Sequence, residues 1–106
     1  NDVALVYQPH QNVRQHEIIG QYTDDIFRDA NEIYWLPTYL TRENPDLPTL
    51  TPQQLAKNID KEKIYFAELD DSLWQEITAA RNSGKLVLCM GAGTIDGWIR
   101  EQLAKN

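Results

Sequence analysis

The chain contains a single cysteine, Cys89, in 106 residues, so no intramolecular disulfide holds it together. That residue lies in the apolar run "KLVLCMG", a setting that predicts a buried, inert thiol rather than a nucleophile. No apolar run approaches the roughly 20 residues that span a bilayer. The first ten residues, "NDVALVYQPH", lack the basic start and cleavage pattern of a signal peptide. A basic cluster is missing too: ten Lys and Arg are scattered among sixteen Asp and Glu, for a formal net charge of −6. Binding to nucleic acid or to an anionic membrane surface needs a basic face, so neither is expected. Repeats, low-complexity tracts, a phosphate-binding loop, a Ser-His-Asp order and a complete metal motif are absent as well. The expectation is one cytoplasmic domain.

What is present is a normal globular balance, 42% apolar and 25% charged residues. "VALVY", Val3 to Tyr7, is a short continuous apolar run typical of a strand buried on both faces. Ile18, Ile19, Tyr22, Ile26 and Phe27 then recur at helical spacing, which predicts a helix over Glu17 to Asp29. "EIYWL", residues 32 to 36, reads as a second strand ended by Pro37, and Thr38 to Leu50 reads as a long surface loop. Thr51, Pro52 and Gln54 form a capping-box pattern for a short helix with Leu55, Ala56 and Ile59 inward. "KIYFAEL" is a third strand. A helix capped by Asp70 or Asp71 follows, with Leu73, Trp74, Ile77 and Ala80 inward and Gly84 at its end. "KLVLCM" is the fourth strand, and a last helix carries Ile95, Trp98, Ile99 and Leu103 on one side. Alternating strands and helices predict a three-layer α/β fold of Rossmann-like type, with a mostly parallel sheet of about four strands. Ligands in that class sit outside the carboxyl ends of the strands.

Two such ends carry suggestive residues. His10 follows the first strand and Arg14 comes four residues later. If the chain is already helical there, the two share a face beside the amides of a helix N-terminus, and an anion suits the corner. The alternative is that His10 bonds the loop backbone and Arg14 pairs with a local acid such as Glu17. "MGAGTIDG" sets Gly91 and Gly93 between a strand and a helix. Asp96 stands where a dinucleotide fingerprint has its third glycine, so the glycines Gly91 and Gly93 are expected to allow a tight turn, with a ligand-facing turn as the second reading. His16 lacks companions for a metal site and is expected to face solvent. The pairs Asp24-Asp25 and Asp70-Asp71 are read as structural, the first within a helix and the second at a helix start.

"VYQPHQNVRQ" resembles the segment of aromatic residue, Gln, Pro, His and Arg that follows a strand in the C-terminal domain of Mur ligases. "DANEIYWLPTY" is similar to that family's acidic turn into the next strand, and "GKLVLCMGAGTIDGWIREQL" to its last strand, Gly-Ala-Gly turn and terminal helix. The resemblance covers residues 1–106 in order. It implies part of an enzyme of peptidoglycan precursor synthesis that joins L-alanine to the lactyl carboxylate of UDP-N-acetylmuramate. ATP and Mg2+ would be used and held mainly outside this segment. It implies that His10 and Arg14 bind the amino-acid carboxylate or a transferred phosphoryl group, and that the partners are L-alanine and the ligase's own central ATP-binding and N-terminal UDP-sugar domains. Where the family usually has an arginine after the histidine, this chain has Gln11. The family domain also ordinarily begins with an earlier strand and helix bearing a "DYAHHP"-like motif, which implies a fragment lacking that unit, with an uncovered edge and weak self-association. The competing reading is a freestanding flavodoxin-like or receiver-like interaction module without catalysis.

Overall fold

The structure, a computed structural model, describes residues 2–91 and 93–105. The first apolar run forms β1 (Val3–Gln8). It pairs in parallel with β2 (Glu32–Trp35) on one side and β4 (Leu86–Gly91) on the other, while β3 (Ile64–Phe66) flanks β2. The sheet is thus four parallel strands in the order β3-β2-β1-β4. Flavodoxin-like and receiver folds place the third strand beside the first. Here β4 occupies that position, which departs from the flavodoxin-like and receiver-like alternative.

Strand alternation builds two cores. Leu5, Ile33, Trp35 and Ile64 point to one face and pack with Tyr22, Phe27, Leu55 and Ile59. Ala4, Val6, Tyr34 and Leu36 point to the other and meet Leu73, Ile77, Ala80 and Ile95. The first face is covered by α1 (Asn12–Ile18), the segment after it and α2 (Pro52–Leu55), the second by α3 (Asp71–Asn82) and α4 (Thr94–Lys105). These are the expected three layers. Trp35 is the central buried residue of the first core and meets Tyr7, Tyr22 and Phe27 edge-on, with ring centroids 5.1, 5.1 and 5.7 Å away.

Local signals act as the sequence suggests. Thr51 Oγ1 accepts the Gln54 N–H while Gln54 Oε1 accepts the Thr51 N–H, completing the capping box. Asp70, not Asp71, caps α3 by accepting the Leu73 N–H at 2.9 Å.

Several expectations need correction. The helix after β1 runs over Asn12–Ile18 and a 3-10 turn over Ile19–Gln21, rather than Glu17 to Asp29. Residues 24–29 form turns, so Asp24 and Asp25 are not helical. Long-range bonds replace helical ones there: Asp24 Oδ1 accepts the Asp60 N–H at 2.7 Å and Lys63 Nζ donates to the Phe27 carbonyl at 2.9 Å. Tyr22 and Phe27 still reach the core, whereas Ile26 is exposed. Leu103 is exposed at the far end of α4. Cys89 is exposed as well, because β4 lies at the edge of the sheet and its apolar run has a strand on one side only.

That edge leaves a groove. Leu86, Leu88 and Met90, at registers opposite Val3, Leu5 and Tyr7, are about half exposed. Leu88 and Met90 border an apolar groove of about 270 Å3 together with Leu5, Tyr22, Ile26 and Phe27.

Candidate functional site

The chain proceeds from β1 outward to β2 and β3, then crosses back to lay β4 on the other side of β1. The carboxyl ends of β1 and β4 are therefore neighbours at the point where strand order reverses, the place where open parallel sheets bind ligands. Gln8 is in register with Gly91, so the segment leading to His10 and the turn from Gly91 to Gly93 share one edge, as the parallel arrangement requires. The middle residue of that turn, Ala92, lies outside the described residues.

Both glycines are dictated by close approach. At Gly91, with φ 151°, a Cβ would sit 2.8 Å from the Gln8 carbonyl oxygen. At Gly93, with φ 121°, a Cβ would come within 2.5 to 2.8 Å of Cγ, Cδ1 and Cδ2 of Tyr39. Gln8 itself is buried and fixes the start of α4: its Oε1 accepts the Ile95 N–H and its Nε2 donates to Thr94 Oγ1, both at 3.2 Å.

His10 stands exposed at the mouth of this corner. Its ring lies nearly parallel to that of Tyr39, at 10° and a centroid distance of 5.7 Å. The backbone continues the pairing beyond β1: Tyr39 N–H donates to the Pro9 carbonyl and Gln11 N–H to the Tyr39 carbonyl, each at 2.8 Å. These two bonds hold Gln11 at φ 65°, a conformation that strains a non-glycine residue. From beneath, Gln15 Nε2 donates to the His10 carbonyl at 2.9 Å, and Gln15 Oε1 in turn accepts the Tyr22 hydroxyl at 2.6 Å. Burial, together with the neighbouring Tyr7 hydroxyl, raises the Tyr22 phenol far above its ordinary range, so it remains a donor.

The helix N-terminus at this corner is not open to an external anion. Glu43 accepts the N–H groups of Asn12 at 3.0 Å, Val13 at 3.2 Å and Thr41 at 2.8 Å. Its carboxyl is pushed up by desolvation, but the three backbone donors and the nearby His10 outweigh this and hold it below the usual carboxylate range. The expectation of unpaired amides beside His10 is corrected accordingly. Asn12 completes the clasp by donating to the Pro48 carbonyl and accepting the Leu50 N–H, at 3.0 and 2.8 Å. His16 does more than face solvent: its Nε2 meets the Pro48 carbonyl at 2.7 Å.

Arg14 lies on the outer side of α1 with an exposed side chain, 4.0 Å from Glu17. That is the local pairing foreseen as its alternative role, and an exposed pair at this distance binds the guanidinium weakly. The structure thus brings His10, Gly91 and Gly93 to one edge, but α1 begins only at Asn12 and Gln11 is non-helical, so the helical face that His10 and Arg14 would have shared is not formed and Arg14 lies in solvent on α1. Sequence reasoning missed Gln8, Tyr39 and Glu43. Gln8 alone carried a signal, a polar residue ending an otherwise apolar strand.

No group of three or more His, Cys, Asp or Glu side chains among the described residues could hold a metal ion. A larger cleft of about 570 Å3 opens at the ends of β2 and β3, and its charged lining residues, Glu68, Asp70 and Glu76, are all acidic and oppose a phosphate there. No helix of the described residues is long and apolar enough to cross a membrane.

No family model matches the chain. In an alignment of 104 positions that covers 93% of the chain, it is 32% identical to the UDP-N-acetylmuramate–L-alanine ligase of Rickettsia felis and 33% identical to that of Rickettsia massiliae. In an alignment of 95 positions that covers 88% of the chain, it is 33% identical to the enzyme of the same name from a Nocardioides species. The chain spans about one fifth, 21%, of the length of each of these curated relatives. With its parallel α/β sheet, the chain is homologous to one domain-sized part of the UDP-N-acetylmuramate–L-alanine ligases, within the Mur ligase family.

Proposed function

We propose that this chain is the C-terminal domain of a cytoplasmic ligase that forms an amide bond between L-alanine and the lactyl carboxylate of UDP-N-acetylmuramate. The observation that carries this reading is the similarity, over 93% of the chain, to one fifth of a ligase of that name, in a fold whose His10 corner and Gly91–Gly93 turn meet at the strand-order switch. In the proposed reaction the lactyl carboxylate is activated as an acyl phosphate. The amine of L-alanine then attacks the acyl carbon, phosphate leaves and the amine loses a proton.

The residues here suit part of that work. His10, just before the start of α1, and Arg14, within its first turn, are exposed nitrogen-bearing side chains, and they supply contacts to the amino-acid carboxylate or the transferred phosphoryl group. The described residues do not fit a resident Mg2+ ion or form a phosphate cradle, since they group no metal ligands and Glu43 fills the amides of α1. ATP and Mg2+ are assigned in this reading to the central domain of the ligase. The apolar groove beside β4 supports a further part of the reading: a strand and helix of the same polypeptide extend the sheet at β4 and cover Leu86, Leu88 and Met90.

The test is made on the ligase containing this chain, by following phosphate release that depends on both UDP-N-acetylmuramate and L-alanine. The wild-type enzyme is expected to show it, and His10→Ala and Arg14→Ala to raise the KM for L-alanine or slow ligation. Absence of L-alanine-dependent turnover in the wild type overturns the substrate. Wild-type kinetics in both variants overturns the site.

A further inference from the structure

We infer that Tyr39 is a positioning residue that orients the His10 imidazole, with Gly93 setting the place of the Tyr39 ring. The relevance to ligation rests on the reading above, whereas the positioning itself rests on geometry alone.

Three separate segments converge on this one aromatic ring. The loop after β2 supplies Tyr39, and its peptide group is locked to the β1–α1 junction by hydrogen bonds to Pro9 and from Gln11, each 2.8 Å. The β4–α4 turn supplies Gly93, whose missing side chain is what leaves room for the ring, since a Cβ there would lie at 2.5 Å from Cγ and nearly as close to both Cδ carbons. The junction itself supplies His10, stacked on the ring at 10°.

The His10 ring forms no hydrogen bond among the described residues; the carboxylate of Glu43 acts on it through charge, which sets no ring plane, so the stack is the contact that restrains its direction. An exposed imidazole without it would sample several rotamers, and each substrate contact would have to select one of them. Restraint by a ring face leaves both ring nitrogens available, which a hydrogen bond to one nitrogen would not. The Tyr39 hydroxyl takes no part in this device. Phenylalanine should therefore replace Tyr39, and an aliphatic side chain should not.

In the 106-residue chain, the imidazole C–H resonances of His10 and His16 are followed by NMR in the wild type, Tyr39→Phe and Tyr39→Leu. His16, anchored to Pro48, serves as the internal reference for folding. The expected result is that Tyr39→Leu moves the His10 resonances as the ring current is lost, while Tyr39→Phe keeps them and His16 holds still. Unmoved His10 resonances in Tyr39→Leu overturn the proposal, as does Tyr39→Phe behaving like Tyr39→Leu. Gly93→Ala gives a second route to the same readout by displacing the ring from the other segment, and it too should move His10 without moving His16. In the full ligase, Tyr39→Leu should raise the KM for L-alanine by about three- to tenfold, with Tyr39→Phe restoring it. A KM that responds to His10→Ala but not to Tyr39→Leu overturns the positioning role. A KM that responds to neither overturns the assignment of His10 to substrate, and the NMR result then decides the positioning by itself.

Discussion

The carboxylate of Glu43 accepts the backbone N–H of Asn12 at 3.0 Å and so caps α1 from 31 residues further along the chain. The residue at the usual capping position, Gln11, makes no side-chain cap at all. A helix start normally secured by its own Ser, Thr, Asp or Asn is here secured by a loop, which ties the order of that loop to the order of the His10 corner.

Acid should release this clasp. Because the Glu43 carboxyl is held below its ordinary range in the folded chain, its contribution is fully present above the unfolded value and is lost as pH falls through the folded one. Melting temperatures measured from pH 7 down to pH 3 should decline more steeply for the wild type than for Glu43→Gln below about pH 4.5. Parallel curves for the two proteins would show that Glu43 is not the group responsible.

Gly93→Ala should cost about 1–3 kcal/mol, because the new methyl group meets the Tyr39 ring and the backbone sits at φ 121°. Chemical denaturation gives the number. Gly97→Ala is the control, since a Cβ there meets nothing within 4 Å. Equal stability of the two variants would contradict the packing at the turn.

Arg14→Ala should leave folding nearly untouched, within about 0.5 kcal/mol, since its pair with Glu17 is solvent-exposed. Denaturation midpoints for the chain, set beside kinetics of the ligase, separate the two roles. A clear loss of stability with normal kinetics would return Arg14 to a structural part.

The isolated chain should self-associate weakly through β4. Sedimentation at rising concentration should show a growing average mass, and Leu88→Lys should suppress it by placing a charge on the half-exposed apolar row. Cys89, exposed on the same strand, reports independently. Desolvation raises its thiol above the ordinary range, so labelling in the native state should proceed more slowly than in a free thiol and slow further as concentration increases. Labelling and mass that are both independent of concentration would refute the association.

Much of the fold was readable because its determinants are local. Val3 to Tyr7, the Thr51 capping box and the Asp70 cap each carry their message within a few residues. The stretch from Gly20 to Asp29 misled because apolar spacing records which side chains are buried, not how the backbone gets there. Tyr22 and Phe27 pack around Trp35 from turns as well as they would from a helix. Cys89 misled for a related reason: an apolar edge strand and an apolar central strand read alike, and only the neighbouring strands decide exposure. Of the site, His10 and the two glycines were visible as residues out of place at strand ends. Tyr39 and Glu43 were not, since they lie in a loop without periodicity and their partners are distant in sequence.

The strand order also sets a sequence of events during synthesis. β1 finds β2 within the first 35 residues, but its other neighbour, β4, is made only at residues 86–91. Closing the longer loop costs only about 1 kcal/mol more in chain entropy, so delay rather than thermodynamics separates the two pairings. On a ribosome emitting roughly 5–20 residues per second, the open flank of β1 waits several seconds for its partner. Throughout that wait the flank of β1 that β4 will cover stays unpaired, and the His10 corner gains its Gly91 and Gly93 side only when β4 arrives.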